Sequence, residues 1–185
     1  MRIPKKISEC QIFEPIWKKS ATMGTFVNPR TGAQYQWPIF RVDSPPVNIV
    51  FPLTSQNEVI AIKKFQHGAN SIILELPGGL SEKTEIAHDA AQRELLEETG
   101  YRAKTIAELG FRIYFEPSSL DFQFRPFIAL DCEKVAEQKL DPNEDIEVAL
   151  IGFPDWEKMI QAGQIFDAKS VVTTYLARAY LGVVS

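Results

Sequence analysis

Cysteine and histidine are scarce in this chain of 185 residues, which has two of each. The cysteines, Cys10 and Cys132, are far apart and neither belongs to a CxxC pair. This scarcity argues against a disulfide framework, which uses several cysteines, and against a structural zinc site, which needs closely spaced cysteine or histidine ligands. We therefore expect two ordinary thiols.

Long apolar runs and basic runs are also missing. No apolar stretch approaches 18 residues, and the first residues, MRIPKKISECQIFEP, lack the apolar core of a signal peptide. We therefore expect a cytoplasmic protein that does not bind or span a membrane. A net charge of −4 argues against a nucleic acid polymer as ligand. With 45% hydrophobic and 24% charged residues, the chain has the composition of one well-buried domain with a small appendage.

The most informative segment is an acidic stretch, residues 85–101, that predicts a helix. Residues 85–99 contain good helix formers and no Gly or Pro, and the predicted helix stops at Gly100, a residue suited to a left-handed C-cap. Ala87, Ala91 and Leu95 recur every four residues and should pack on a core. The acids at 94, 97 and 98 then lie within one helical turn of each other beside that buried stripe.

Clustered carboxylates at this spacing repel one another and need a compensating cation. Arg93 can neutralise one of them, either Glu85 or Glu97, and oxygen ligands of this kind suit Mg²⁺ or Mn²⁺. The alternative is a solvated helix face held by ordinary ion pairs. A strand followed by a tight glycine turn at Gly78 and Gly79 precedes the helix and favours the metal site, because glycine permits close backbone approach.

The rest of the chain divides into two predicted regions. Residues 1–43 alternate apolar and polar positions between turn signals, which predicts short antiparallel strands, while residues 44–185 form the main domain. Further strands are predicted at 47–53, 58–65, 71–76, 105–115, 122–130 and 146–153 in a mixed sheet, with helices at 85–99, 154–162 and 169–180.

The segment from Gly79 to Tyr101, with Glu85 and the run REXXEE from Arg93 to Glu98, resembles the signature of the Nudix hydrolase family. The resemblance implies an α/β/α sandwich with a mixed central sheet. The run IKKFQHG before ELPGG, and Pro117 sixteen residues after Tyr101, are similar to the ADP-ribose pyrophosphatase branch. This branch hydrolyses nucleoside diphosphate sugars and is commonly a homodimer that exchanges its N-terminal region, the role expected here for residues 1–43.

The same resemblance implies roles for individual residues. Glu94 and Glu98 are the expected primary metal ligands, with Glu97 and the Gly78 carbonyl completing the set and with Arg93 and Glu85 orienting the carboxylates. The water-activating base is expected on the late acidic loop, where Glu144 is the first candidate and Asp141, Asp145 and Glu147 are rivals.

Substrate contacts are less sharply indicated. Arg41, Lys63 and His67 are candidates to meet the diphosphate, Trp37 to stack on a base, and Pro117 to mark the substrate branch. Gln66 stands where the branch often has arginine, so GDP-mannose and related sugars stay open as substrates. Two other hypotheses are a sensor that binds ADP-ribose-like ligands without cleaving them and a nucleoside triphosphate pyrophosphatase. The intact glutamates favour an enzyme.

Overall fold

The computed structural model describes residues 5–16, 19–110 and 112–182 of the chain. Its strands are β1 (Lys5–Ile16), β2 (Lys19–Val27), β3 (Gln34–Val42), β4 (Val47–Pro52), β5 (Glu58–Gln66), β6 (Ser71–Glu75), β7 (Gly78–Leu80), β8 (Tyr101–Arg102), β9 (Thr105–Glu108), β10 (Ile113–Tyr114), β11 (Leu120–Asp121), β12 (Gln123–Leu130), β13 (Glu133–Lys134) and β14 (Ile146–Gly152). Its helices are α1 (Ala87–Thr99), α2 (Phe153–Gln161) and α3 (Ala168–Tyr180).

The chain forms two compact units. The first comprises Met1–Pro45 and Tyr114–Gln123. Its sheet has the order β1-β2-β3-β11, in which the first three strands are antiparallel neighbours and β11 pairs in parallel with β3. The antiparallel strands follow the alternation seen in the sequence. The return of Tyr114–Gln123 to this unit was not predicted.

The second unit comprises Pro46–Ile113 and Phe124–Ser185. In one of its sheets β4 lies between β12, in parallel, and β7, antiparallel, and β9 pairs with the far side of β12. In another, β5 lies between antiparallel neighbours β14 and β6. Helix α1 packs on β4, β5 and β14, and α3 also packs on β4. This mixed α/β architecture confirms the predicted fold class.

The core beneath α1 is apolar and closely packed. Val50, Ile60 and Phe127 from three strands meet Ala91 and Leu95 of the helix, and all five are at most 1% exposed. Burial of this kind contributes about 1.5–3 kcal/mol for each large side chain. The predicted alanine and leucine stripe therefore fixes which face of α1 is turned away from the core.

Two local predictions were wrong. Residues 105–115 are not one strand, because Gly110 has a positive φ of 146° and separates β9 from β10. Gly78 and Gly79 do not form a tight turn but lie in β7, paired with Ile49 and Asn48 of β4. The turn comes later, between β7 and α1.

The two cysteines differ in environment. Cys10 is exposed on β1, whereas Cys132 is buried in the core, where burial raises the pKa of its thiol to about 12. The described part of the chain contains no helix that is long and apolar enough to cross a bilayer.

Candidate active site

The acidic residues of α1 line a cavity of about 410 Å³ in the second unit. We call this cavity the acidic pocket. Six acidic and three basic side chains line it. Its lining consists of Lys64, Gly78, Gly79, Leu80, Ser81, Glu82, Arg93, Glu94, Glu97, Glu98, Lys139, Asp141 and Glu144. The pocket therefore gathers the predicted metal ligands and two of the candidate bases, Glu144 and Asp141.

Helix α1 ends at Gly100, where the backbone adopts a left-handed conformation that favours glycine. Gly100 has φ 78°, and its N–H donates to the carbonyl of Leu96. A Cβ added there would lie 2.2 Å from the carbonyl oxygen of Ala136, so no other residue fits without a shift. The C-cap prediction is confirmed. The helix starts at Ala87, so Glu85 lies in the preceding turn and not on the helix.

Arg93 organises the carboxylates around it. Its Nε and Nη2 donate to both oxygens of Glu85 at 2.9 and 3.0 Å, which is a bidentate pair. Nη1 donates to Glu94 at 2.9 Å and to Glu97 at 2.8 Å, and Nη2 also reaches the carbonyl of Leu80. The hydrogen bond to Glu85 is the main reason that the pKa of Arg93 is raised. Arg93 thus neutralises Glu85 and Glu97 together, where the sequence had left a choice.

Glu98 is the most buried acid of the pocket, with 4% of its side chain exposed. Its Oε2 accepts the backbone N–H of Gly78 at 2.8 Å, and its Oε1 accepts Nζ of Lys64 at 3.3 Å. Burial raises the pKa of its carboxyl to about 7, although Lys64 and the Gly78 N–H oppose the shift. A residue in this setting is not part of a solvated helix face, so that alternative is excluded for Glu98.

The loop before β14 brings two candidate bases, Glu144 and Asp141, into the pocket. Glu144 accepts Nζ of Lys64 at 2.5 Å, and its own N–H donates to Asp141, which also lines the pocket. Asp145 and Glu147 are not among the lining residues, and Glu147 instead pairs with Lys63 at 2.7 Å. Of the four candidates, Glu144 and Asp141 therefore lie at the acidic pocket.

The donor set fits a hard divalent cation. The available groups are carboxylate oxygens of Glu94, Glu97 and Glu98 and the backbone of Gly78, all lining one pocket. Among the described residues no group of three or more acidic, histidine or cysteine side chains is arranged so that it could hold a metal ion.

The predicted substrate residues separate into two groups. Trp37, Arg41 and Pro117 line a cavity of about 820 Å³ in the first unit, which we call the aromatic pocket. Its other lining residues are Phe26, Tyr35, Ile39, Tyr114, Ser118, Ser119, Leu120 and Asp121. Lys63 and His67 line neither pocket, and the ring of His67 packs against Phe65.

Polar contacts fix two of the residues in the aromatic pocket. Nε1 of Trp37 donates to the carbonyl of Ser118 at 2.7 Å and to Oγ of Ser119 at 3.0 Å. Arg41 pairs with Glu9 at 2.9 Å and with Asp121 at 3.0 Å. The indole is therefore held in place, whereas the guanidinium already has two acidic partners.

Sequence reasoning missed Lys64 and Asn48. Asn48 is buried on β4, and its Nδ2 donates to the carbonyl of Gly79 and to Oγ of Ser81, which holds the segment after β7. Lys64 alternates with Ile60 and Ile62, but Lys63 alternates with Val59 and Ala61, and all four apolar residues are buried on β5. Alternation along this strand therefore does not distinguish the lysine of the pocket from its neighbour.

Glu75 provides a prediction about pH. It is 5% exposed at the end of β6, accepts Nε2 of Gln66 at 2.5 Å, and lies 3.8 Å from Nζ of Lys169. Burial raises the pKa of its carboxyl against the attraction of Lys169 and Lys64 and the hydrogen bond from Gln66, while Asp167 adds to the rise. The folded state then binds more protons than the unfolded state, so stability falls as pH rises from the ordinary glutamate range to the raised value.

Replacing Glu75 with glutamine should remove this loss of stability. We expect the variant to melt about 2–4 °C above the wild type at pH 8, the shift that 1 kcal/mol causes in a protein of this size. The difference should shrink as the pH falls below the raised pKa of Glu75, because its carboxyl then becomes protonated and neutral, like glutamine. Thermal unfolding followed by circular dichroism at several pH values measures it. A variant that melts below the wild type at pH 8 would contradict the assignment.

Comparison with known proteins gives consistent matches. The NUDIX domain family matches residues 44–172. The chain is 32% identical over 130 residues to the ADP-ribose pyrophosphatase of Bacillus subtilis (strain 168), a match that covers 70% of each chain. It is 26% identical over 132 residues to the methanol dehydrogenase activator of Bacillus methanolicus, covering 71% of each.

A solved structure has the same fold. The crystal structure of an ADP compounds hydrolase superimposes with a TM-score of 0.85 at 17% identity, and the match covers 98% of this chain and 96% of the other. Identity this low is evidence for the fold alone.

Proposed function

This chain belongs to the Nudix family, and we propose that it hydrolyses the pyrophosphate bond of ADP-ribose-type nucleoside diphosphate sugars, releasing a nucleoside monophosphate and a sugar phosphate. The observation that carries the proposal is the acidic pocket, where Glu94, Glu97 and Glu98 of α1 line the same cavity as Glu144. The pyrophosphatase from Bacillus subtilis supports the substrate class.

A divalent cation, Mg²⁺ or Mn²⁺, is proposed as the cofactor. Glu94, Glu97, Glu98 and the carbonyl of Gly78 would hold it. When bound, the cation stabilises negative charge on phosphate oxygens and lowers the pKa of water. The oxygen-only donor set supports this choice over softer metals.

The residues around the cation have separate tasks in this mechanism. Arg93 holds the carboxylates of Glu94 and Glu97 in fixed directions, and Glu85 fixes Arg93 in turn through two hydrogen bonds. Fixed donors and acceptors remove the cost of reorganising the site during the reaction. A carboxylate oxygen of Glu144 accepts the proton of the attacking water, as a general base must lie within hydrogen-bond reach of it.

The direct test is a substrate panel. ADP-ribose, GDP-mannose, UDP-glucose, NADH, ATP and dGTP are each incubated with Mg²⁺, Mn²⁺ or EDTA, and release of nucleoside monophosphate is followed. We expect fastest cleavage of ADP-ribose and no cleavage with EDTA. Binding of ADP-ribose without cleavage of any compound would overturn the enzyme assignment and favour a sensor.

Glu144 and Glu147 form a matched pair for testing the base. Both lie near the start of β14, but Glu144 lines the pocket and Glu147 is exposed and bound to Lys63. Glu144→Gln should lower kcat about 100-fold or more, the contribution typical of a general base, while Glu147→Gln should leave it unchanged. Equal effects of the two substitutions would remove Glu144 from this role, and Asp141→Asn would then be measured.

The aromatic pocket is proposed to hold the nucleobase of a substrate molecule. Its indole and tyrosine rings offer flat apolar surfaces, and the hydrogen bonds of Trp37 to the Ser118–Ser119 segment fix the indole. Pro117 and Arg41 line the same cavity. Lys63 and His67 remain predictions for diphosphate contact. Trp37→Leu should raise KM for ADP-ribose several-fold and leave kcat unchanged, which the same substrate panel measures. An unchanged KM would reject stacking of the base on Trp37.

A homodimer formed through the first unit is also proposed. Its sheet exposes several large apolar side chains, Ile7, Ile12, Tyr35 and Phe40, which are more than a third exposed. Exposed apolar area of this kind commonly marks an interaction surface. Light scattering coupled to gel filtration should give twice the mass of one chain, and a monomer at micromolar concentration would reject the proposal.

A further inference from the structure

Lys64 connects helix α1 to the loop before β14. It lies on β5 opposite Ile146 of β14, two residues after Glu144. Its Nζ lies 2.5 Å from Oε1 of Glu144 and 3.3 Å from Oε1 of Glu98. One ammonium group therefore bridges the most buried acid of α1 and the proposed base.

The surroundings of this ammonium favour its charged form. Two carboxylates lie within 3.3 Å of Nζ of Lys64, and a nearby carboxylate stabilises the charged form of a lysine. Its side chain is 25% exposed and Glu98 only 4%, so solvent screens the contact incompletely. A fixed positive charge thus lies beside an oxygen that the proposed metal site would use.

The neighbouring oxygen of Glu98 is also occupied. Oε2 accepts the N–H of Gly78, so a cation that binds Glu98 must either approach Oε1 beside Lys64 or share Oε2 with that N–H. A cation at Oε1 would meet a like charge only a few ångströms away. Like charges at such distances repel each other in a protein environment.

We propose that Lys64 is a positioning residue that acts as a built-in cation of the reaction centre, competing with divalent metal for Glu98 and Glu144 while holding Glu144 in the pocket. The proposal rests on the metal site of the proposed function. It implies that the lysine weakens the binding of divalent ions. A purely structural lysine would have the opposite signature, since its loss would loosen the site and weaken metal binding.

Lys63 supplies a matched control. It is the adjacent residue on the same strand, yet it pairs with Glu147, which lies outside the pocket. Lys63→Gln and Lys64→Gln change the net charge of the chain equally. Any difference between them therefore comes from the position of the charge and not from its loss.

The test is calorimetric titration of the metal-free protein with Mn²⁺ and with Mg²⁺. We expect Lys64→Gln to lower Kd at least about tenfold, which corresponds to about 1.4 kcal/mol, and Lys63→Gln to change it less than twofold. Lys64→Met is the second variant if glutamine prevents folding. Lys64→Arg, which keeps the charge, should retain the wild-type affinity within about threefold.

The outcomes separate this proposal from the metal site itself. If Lys64→Gln or Lys64→Met binds metal with a Kd equal to or higher than that of Lys63→Gln, Lys64 does not compete with the metal. Absence of metal binding in the wild type and in all variants would overturn the proposed metal site on which the inference rests. The increase in melting temperature on adding metal provides a second readout, since at a fixed metal concentration a tighter ligand stabilises the folded state more.

Discussion

Glu98→Gln should lower kcat/KM by more than about 100-fold at saturating metal. Loss of a residue that only orients a metal ligand commonly costs 10–100-fold, and a direct ligand should cost more. Glutamine has the same size, and its carbonyl oxygen can still accept the N–H of Gly78, which lies 2.8 Å from Oε2 in the native protein. Lys64 keeps Glu144 as a partner. We therefore expect the fold to persist while the charge needed at the site is lost.

The measurement is steady-state turnover of the best panel substrate, together with thermal unfolding with and without metal. The wild type should gain several degrees on adding metal, and Glu98→Gln should gain much less. Glu137→Gln is the control, because that side chain is 92% exposed and its replacement should change neither quantity. Turnover within threefold of the wild type would show that Glu98 does not hold the metal.

Gly78→Ala should unfold the protein or lower its stability by about 3 kcal/mol or more. A Cβ at this position would lie 2.0 Å from the carbonyl oxygen of Asn48, and the φ of 155° is one that side chains rarely adopt. The clash is with the backbone of β4, which is buried and cannot move cheaply. Strain and overpacking each cost about 1–3 kcal/mol.

The adjacent glycine should behave differently. A Cβ on Gly79 would meet the carboxylate of Glu94 at 2.4 Å, and this is the movable end of a side chain. Gly79→Ala should therefore fold but displace the carboxylate of Glu94, a proposed metal ligand, and lower kcat/KM at least about tenfold. Gly68→Ala is the control, since its Cβ would meet nothing within 4 Å. Chemical denaturation and turnover of the three variants test the contrast, and equal stabilities for Gly78→Ala and Gly79→Ala would contradict it.

Local features of the acidic helix were predictable from the sequence. The recurrence of Ala87, Ala91 and Leu95 identifies the buried face, and Gly100 identifies the end. Helical geometry then places the nearby acids together without any knowledge of the rest of the fold. The start of the helix at Ala87 was harder to predict, because Ile86 at the N-cap has no side-chain hydrogen-bonding group that would mark it.

Contacts between distant segments were not predictable. Lys63 and Lys64 are adjacent and chemically identical, and only the pairing of β5 with β14 and the packing of α1 decide which of them enters the pocket. The parallel pairing of Leu120 with Phe40 joins segments 80 residues apart and leaves no local signal. The acidic partners of Arg41 are likewise remote in sequence. These features depend on tertiary structure, which periodicity does not report.

The unequal environments of the two thiols make the protein suited to single-site labelling. Cys10 is exposed and Cys132 is buried with a raised pKa, so a maleimide reagent should modify the first strand alone without any mutagenesis. A nitroxide attached there would place one spin on each copy. Pulsed electron resonance between two such spins would then give a direct distance across the proposed symmetric assembly.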